Sequence, residues 1–240
     1  LSPLKVITVV GTRPEIIRLS RVIAALDSSS AIDHILVHTG QNYDYTLNEI
    51  FFEELGIRKP DYFLEAAGET STETVGNILI KIDPLLNKLQ PDAFLVLGDT
   101  NSSLSSISAK KRKIPIFHME AGLRAWDRRM PEQRNRILID HMSNILLPYN
   151  NYHRENLIKE NIHPSKIFVT GNTTFEVMRH FMPKIEGSSI LKTLNLTSKN
   201  YILATAHRSE NVDNPHFLKI IMDSLGDISK KFNCEVVYPM

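Results

Sequence analysis

Val6-Ile7-Thr8-Val9-Val10-Gly11-Thr12-Arg13-Pro14-Glu15 decides the fold. The run 6–10 is apolar or β-branched throughout, as a strand buried on both faces of a parallel sheet requires. Gly11-Thr12-Arg13-Pro14 turns the chain into a helix expected over 14–26, with Ile16, Leu19, Ile23 and Leu26 on one face. A strand feeding a helix through so short a turn is half of a βα unit. Working outward, the unit recurs. Strands are expected at 35–37, 94–97, 114–118, 145–147 and 167–169. Between them lie helices at 47–55, 132–142 and 152–160, and an apolar stripe of Val75, Ile78, Ile82, Leu85 and Leu89 with Pro84 as a kink. Thr100, Asn101 or Ser102 offers a cap to the helix after 94–97, and a last helix is expected over 173–181. The fold class is α/β, a doubly wound Rossmann-like domain over 1–182. Residues 183–200, with Gly187, Ser188 and Ser189, read as a connector holding a short helix. A second Rossmann-like unit starts at 201 with a β-run to 206, a helix at 215–232 and a strand at 235–238, and is expected to be incomplete at 240.

Composition excludes several classes. The 240 residues are 42% hydrophobic and 23% charged, ordinary for a globular protein and too apolar for disorder. Lys+Arg number 28 against 27 Asp+Glu, a formal charge of +1, which argues against a broad electrostatic grip on nucleic acid or anionic lipid. No apolar run reaches the ~20 residues that span a bilayer, and no signal peptide is evident. Cys234 is the single cysteine, so no internal disulfide forms, and a cytoplasmic location is expected.

In an open parallel sheet, ligands bind at the carboxyl ends of the strands. Arg13 follows the first strand, Gln41 the second, Asp99 the strand at 94–97 and Glu120 that at 114–118; His207 follows the first strand of the second unit. Each has a bland reading. Asp99 ahead of Thr100-Asn101-Ser102 reads first as a helix cap, Arg13 beside Glu15 as a surface ion pair, and Glu132 as a first-turn acid complementing the helix dipole. Arg13-Pro14 also fits anion binding at a helix N-terminus. Glu120 sits in a small-residue turn where a carboxylate has no packing role, which favours function. The other histidines, His118 among them, read as surface or packed residues; His34 and His38 share a strand and point badly for a common metal. No Gly-x-Gly-x-x-Gly, Walker loop or Gly-x-Ser-x-Gly is present, and His118-Met119-Glu120 lacks the Cys-x-x-Cys of a zinc deaminase. No metal and no cofactor are expected.

Seven pieces occur in one order: Gly11-Thr12-Arg13-Pro14-Glu15, Thr39-Gly40-Gln41, Gly98-Asp99-Thr100, His118-Met119-Glu120-Ala121-Gly122-Leu123-Arg124, Pro131-Glu132 with Asn135-Arg136, Thr170-Gly171-Asn172, and His207-Arg208-Ser209-Glu210-Asn211. This ordered set resembles the non-hydrolysing UDP-N-acetylglucosamine 2-epimerase family. Glu15-Ile16-Ile17-Arg18-Leu19-Ser20 is similar to its capsule and O-antigen branch, which acts on UDP-2-acetamido-2,6-dideoxyhexoses. The resemblance implies two Rossmann-like domains of the B-type glycosyltransferase architecture, a UDP-N-acetylhexosamine substrate and a homodimer. It also implies catalytic roles for Asp99, Glu120, Glu132 and His207, and substrate-binding roles for Arg13, Arg18, Gln41 and Arg136. Arg18 stands where the glucosamine branch carries Lys.

The residue types suit the reaction so implied. Nothing beside C2 of an N-acetylhexosamine acidifies its proton. An enzyme therefore either oxidises C3 with NAD or expels UDP as the C2 proton leaves. Without a dinucleotide fingerprint the elimination route is expected, with one carboxylate taking the proton, another stabilising positive charge at C1, and Arg13 and His207 receiving the diphosphate. The expected function is UDP-N-acetylglucosamine 2-epimerisation for cell-surface polysaccharide. The rivals are a UDP-2-acetamido-2,6-dideoxy-L-talose 2-epimerase, a glycosyltransferase of the same fold, and a catalytically inactive remnant or binding module.

Overall fold

A computed structural model describes residues 2–40, 51–126, 130–206 and 209–238. The chain divides into two compact units, Leu1–His180 and Phe181–Met240.

The larger unit is built on six parallel strands: β1 (Leu4–Val10), β2 (Ile32–His38), β3 (Tyr62–Phe63), β4 (Ala93–Leu97), β5 (Ile116–Met119) and β6 (Ile145–Leu147). Their order is β3-β2-β1-β4-β5-β6, which reverses direction between β1 and β4. Strand alternation splits the apolar residues between two cores. On one face Ile7, Val9, Phe94, Val96 and Ile116 pack with Ile82 and Leu86 of helix α2 (Ser71–Leu89). On the other Val10, Leu36, Leu95, Leu97 and Met119 pack with Ile16, Leu19 and Ile23 of helix α1 (Arg13–Ser28). Both faces are covered, so the α/β class read from the continuous apolar strands holds. Helices α3 (Ser106–Lys111), α4 (Pro131–Met142) and α5 (Asn151–Lys159) lie in this unit, residues 51–54 are also helical, and α6 (Thr173–Glu186) begins in it and runs past His180.

Three local readings need correction. The strand expected at 167–169 is a single bridge, Ile167 to Leu146; Phe168 and Val169 are exposed because no neighbouring strand covers them. Helix α6 continues through Pro183 to Glu186, since only the proline's own N–H is lost and the neighbouring turns carry on. The short strand β3 was not anticipated. Most of the helix expected at 47–55 lies outside the described residues.

The smaller unit contains the parallel strands β7 (Tyr201–Leu203) and β8 (Glu235–Val237). It also holds the short helices α7 (Ile190–Thr193) and α8 (Ser209–Val212) and the longer α9 (Pro215–Phe232). Asn214 caps α9, accepting from His216 N at 3.0 Å. Leu203, Phe217, Ile220 and Phe232 are exposed.

Candidate active site

The crest of the larger sheet, at the strand-order reversal, gathers the charged residues. Its first turn is made by close packing. A Cβ on Gly11 would lie 2.0 Å from Ser102 Oγ and 2.1 Å from Thr39 Oγ1, so only glycine fits where β1 meets the neighbouring turns. Glu15 then closes the turn from inside: its Oε2 accepts from Gly11 N (2.9 Å), Thr12 N (2.8 Å) and Thr12 Oγ1 (3.0 Å), and its Oε1 from Thr100 Oγ1 (2.6 Å). The reading of Arg13 and Glu15 as a surface pair therefore fails, because Glu15 is buried beneath the turn. The anion held by these first amides is the protein's own carboxylate. Burial still pushes the Glu15 carboxyl above its ordinary range, against the lowering effect of its donors. Arg13 itself is exposed, at the first position of α1.

Asp99 and Glu120 face each other across the β4 and β5 crest turns, with Arg136 of α4 between them. Arg136 Nη2 lies 2.7 Å from Asp99 Oδ2 and 3.0 Å from Glu120 Oε1. Asn135, one residue earlier, donates to the Asp99 carbonyl at 3.0 Å. The two carboxylates differ sharply in their surroundings. Glu120 Oε2 also accepts from Arg18 Nη1 at 2.7 Å and from the Tyr149 hydroxyl at 3.0 Å, so three donors converge on one carboxylate. Glu120 occupies the left-handed region at φ 64°, a conformation costing about 1–3 kcal/mol that surrounding contacts must hold in place. Asp99 has only the Arg136 ion pair on its side chain among the described residues. Burial pushes its carboxyl above the ordinary range; Arg136 opposes this, while the charges of Glu120 and Glu132 reinforce it. The cap reading of Asp99 is not met: Thr100 holds the N-cap position of the following 3-10 turn, and its hydroxyl is spent on Glu15.

Behind this pair lies a buried strut. His118, fully buried on β5, places Nε2 2.8 Å from the Gly98 carbonyl and Nδ1 2.8 Å from Asp140 Oδ1. Asp140 Oδ2 accepts from Gly122 N at 3.2 Å and pairs with Arg124 Nη2 at 2.9 Å. Gly122 has φ 76°, and a Cβ there would meet the His153 carbonyl at 2.3 Å. The strut thus ties down the residue before Asp99 and a residue just after Glu120.

Of the residues singled out from sequence, the structure brings Asp99, Glu120, Arg18 and Arg136 into one contact set, with Glu132 near enough for its charge to act on Asp99. Gln41 and His207 lie outside the described residues. Tyr149 escaped the sequence reading. The signal that would have found it is its place just beyond β6, the same strand-end position that flagged Asp99 and Glu120. Burial and the Glu120 carboxylate push its phenol up to about 12, so it acts as a donor at neutral pH. Among the described residues no group of three or more His, Cys, Asp or Glu side chains is arranged to hold a metal ion, and no helix is long and apolar enough to cross a membrane.

Fold and site together define a doubly wound α/β protein with an arginine-bridged carboxylate pair at its topological switch point. The family model for UDP-N-acetylglucosamine 2-epimerase matches residues 24–240. A UDP-N-acetylglucosamine 2-epimerase from Rickettsia bellii is 47% identical, with a TM-score of 0.89 over 98% of this chain and 62% of that one. The Methanocaldococcus jannaschii UDP-GlcNAc 2-epimerase, solved with UDP-GlcNAc and UDP, is 39% identical with a TM-score of 0.90 over 98% of this chain and 65% of that one. The UDP-2,3-diacetamido-2,3-dideoxy-D-glucuronate 2-epimerase of Pseudomonas aeruginosa is 39% identical over 94% of this chain and 63% of that protein. The chain belongs to the UDP-N-acetylglucosamine 2-epimerase family. It spans 65% of the length of the first curated relatives it matches.

Proposed function

We propose that this chain forms part of a cytoplasmic, homodimeric sugar-nucleotide 2-epimerase that inverts C2 of UDP-N-acetylglucosamine for cell-surface polysaccharide. The observation that carries the reading is the unequal carboxylate pair at the crest. Asp99, with one ion-pair partner among the described residues and a carboxyl raised by burial, is fit to take up and return a proton. Glu120, held by three donors among the described residues, is fit to remain a fixed negative charge. In the elimination, the C2–H electron pair forms a C1=C2 double bond, the proton passes to Asp99, and the C1–O bond breaks with its electrons leaving on UDP. Positive charge growing at C1 faces Glu120. Re-addition reverses these steps after C2 is protonated from the opposite face. Glu132, exposed in the first turn of α4, and His207 are the further groups proposed for that half of the cycle, with Arg13 and Gln41 toward the nucleotide.

Substrate choice within the class is open to two members. UDP-N-acetylglucosamine is favoured by the family model and by the ligand in the M. jannaschii relative. A UDP-2-acetamido-2,6-dideoxyhexose is the second member, and the P. aeruginosa relative, named for a UDP-2,3-diacetamido-2,3-dideoxy-D-glucuronate, supports keeping a modified hexosamine in view. The test is incubation of the native protein with each UDP-sugar in D2O, without acceptor. Epimerisation with deuterium entering C2 is expected, falling at least ~10²-fold in Asp99→Asn. Turnover that requires an acceptor, or epimerisation without deuterium at C2, refutes the reading.

A further inference from the structure

The phenol of Tyr149 has no part in the reaction as set out so far, yet it makes one of the three hydrogen bonds to Glu120. We infer that Tyr149 is a positioning residue: together with Arg18 it locks Glu120 Oε2, so that the carboxylate keeps one orientation toward the reacting sugar. The inference rests on the epimerase reading of this site and deepens it.

The geometry leaves Oε2 dependent on the phenol. Its other donor among the described residues, Arg18, has a side chain 37% exposed, against 6% for Glu120. An arginine that open to water exchanges partners readily and holds direction poorly. Arg136 grips only Oε1, and it is shared with Asp99. A left-handed backbone at Glu120 adds to the demand, because the carboxylate must be held against a conformation that a glutamate rarely adopts. Tyr149 meets that demand with a rigid ring, half-buried and set beside His153 at 6.3 Å between centroids, and with a hydroxyl that has no charge to lose. Burial also keeps His153 toward its neutral form, so it does not compete as a cation for Glu120. Removing the hydroxyl alone frees Oε2 to swing with Arg18 while the core stays filled.

Tyr149→Phe separates this role from a packing role. In the native protein kcat is expected to fall about 10–100-fold, the range for a lost hydrogen bond to a charged group, with KM within about twofold. A packing role would lower the melting temperature and leave kcat intact. The second readout needs no turnover. The chain has 7 tyrosines, and the wild-type minus Tyr149→Phe difference in tyrosinate absorbance isolates the one concerned. Its titration is expected to move to lower pH when Glu120→Gln removes the facing charge. Wild-type kcat in Tyr149→Phe, or a titration unmoved by Glu120→Gln, overturns the proposal. If the wild-type protein epimerises no UDP-N-acetylhexosamine, the epimerase reading falls, and the titration alone decides whether Tyr149 holds Glu120.

Discussion

Asp140→Ala tests the strut behind the site most severely. The Asp140 side chain is completely buried and meets His118 Nδ1 at 2.8 Å, Arg124 Nη2 at 2.9 Å and Gly122 N at 3.2 Å. Truncation strips a partner from a buried histidine, a buried guanidinium and a buried amide at once. Arg124 keeps its bidentate contact with Glu160, at 2.7 and 2.6 Å, so its charge is not orphaned. Breaking a buried pair from one side costs about 3–5 kcal/mol. With a urea slope of about 2 kcal/mol per M, the midpoint of the larger unit should drop by about 1.5–2.5 M. Asp140→Asn should cost far less. Its oxygen can take Arg124 and Gly122 N, while its NH2 donates to His118 Nδ1, provided His118 carries its proton on Nε2 toward the Gly98 carbonyl. Far-UV circular dichroism in urea reads both variants, and amide hydrogen exchange at Gly122 reads the local bond. Equal midpoints for the Ala and Asn variants, or a loss below about 1 kcal/mol for Ala, would refute the claim that this network carries the crest.

Two further outcomes follow from the first turn. Burial holds the folded pKa of Glu15 above the ordinary value of 4.5, so its contribution to stability is fully present below 4.5 and is lost as pH rises through the folded value. Glu15→Gln should remove that fall, and a wild-type-minus-variant difference in urea midpoint that stays flat from pH 4 to 8 contradicts the assignment. Gly11→Ala forces Ser102 and Thr39 off their positions, since both oxygens lie within 2.1 Å of the new carbon, and should destabilise by about 1–3 kcal/mol; an unchanged melting temperature would show that the turn can open.

The strands were legible because parallel strands buried on both faces are apolar or β-branched throughout, as 6–10 and 94–97 are. Their carboxyl ends then pointed to Asp99 and Glu120 with no further information. What escaped is of a different kind. Nothing local to Ile167-Phe168-Val169 tells whether a neighbouring strand exists to pair with it, and Pro183 breaks a helix in propensity but not here. Glu15 looked like an exposed acid because it sits beside Arg13 in an N-terminal turn. Its burial depends on Thr100, contributed from a turn 85 residues away. The sequence reads His118 only as a surface or packed residue; it is fully buried, and both of its ring nitrogens are engaged.

The same distinction explains why the roles proposed for the two carboxylates could not be read from the chain. Asp99 and Glu120 are both acids after a strand, with the same unperturbed chemistry. They differ through donors that arrive from α1, α4 and the turn after β6: Arg18, Arg136 and Tyr149. Among the described residues Glu120 has three donors and loses hydrogen bonds when it takes a proton, whereas Asp99 has one ion pair and a buried flank and does so at less cost. The division of labour proposed for this site therefore rests on the sheet order, which brings β1, β4, β5 and β6 to one crest. Glu120→Asp withdraws the carboxylate from Arg18, Arg136 and Tyr149 at once, so kcat should fall at least as far as in Tyr149→Phe. Asp99→Glu, which misplaces the proposed proton acceptor itself, should fall further still. Comparing kcat for the three variants in the native protein checks this, and a larger loss at Glu120→Asp than at Asp99→Glu would reverse the proposed assignment of the two roles.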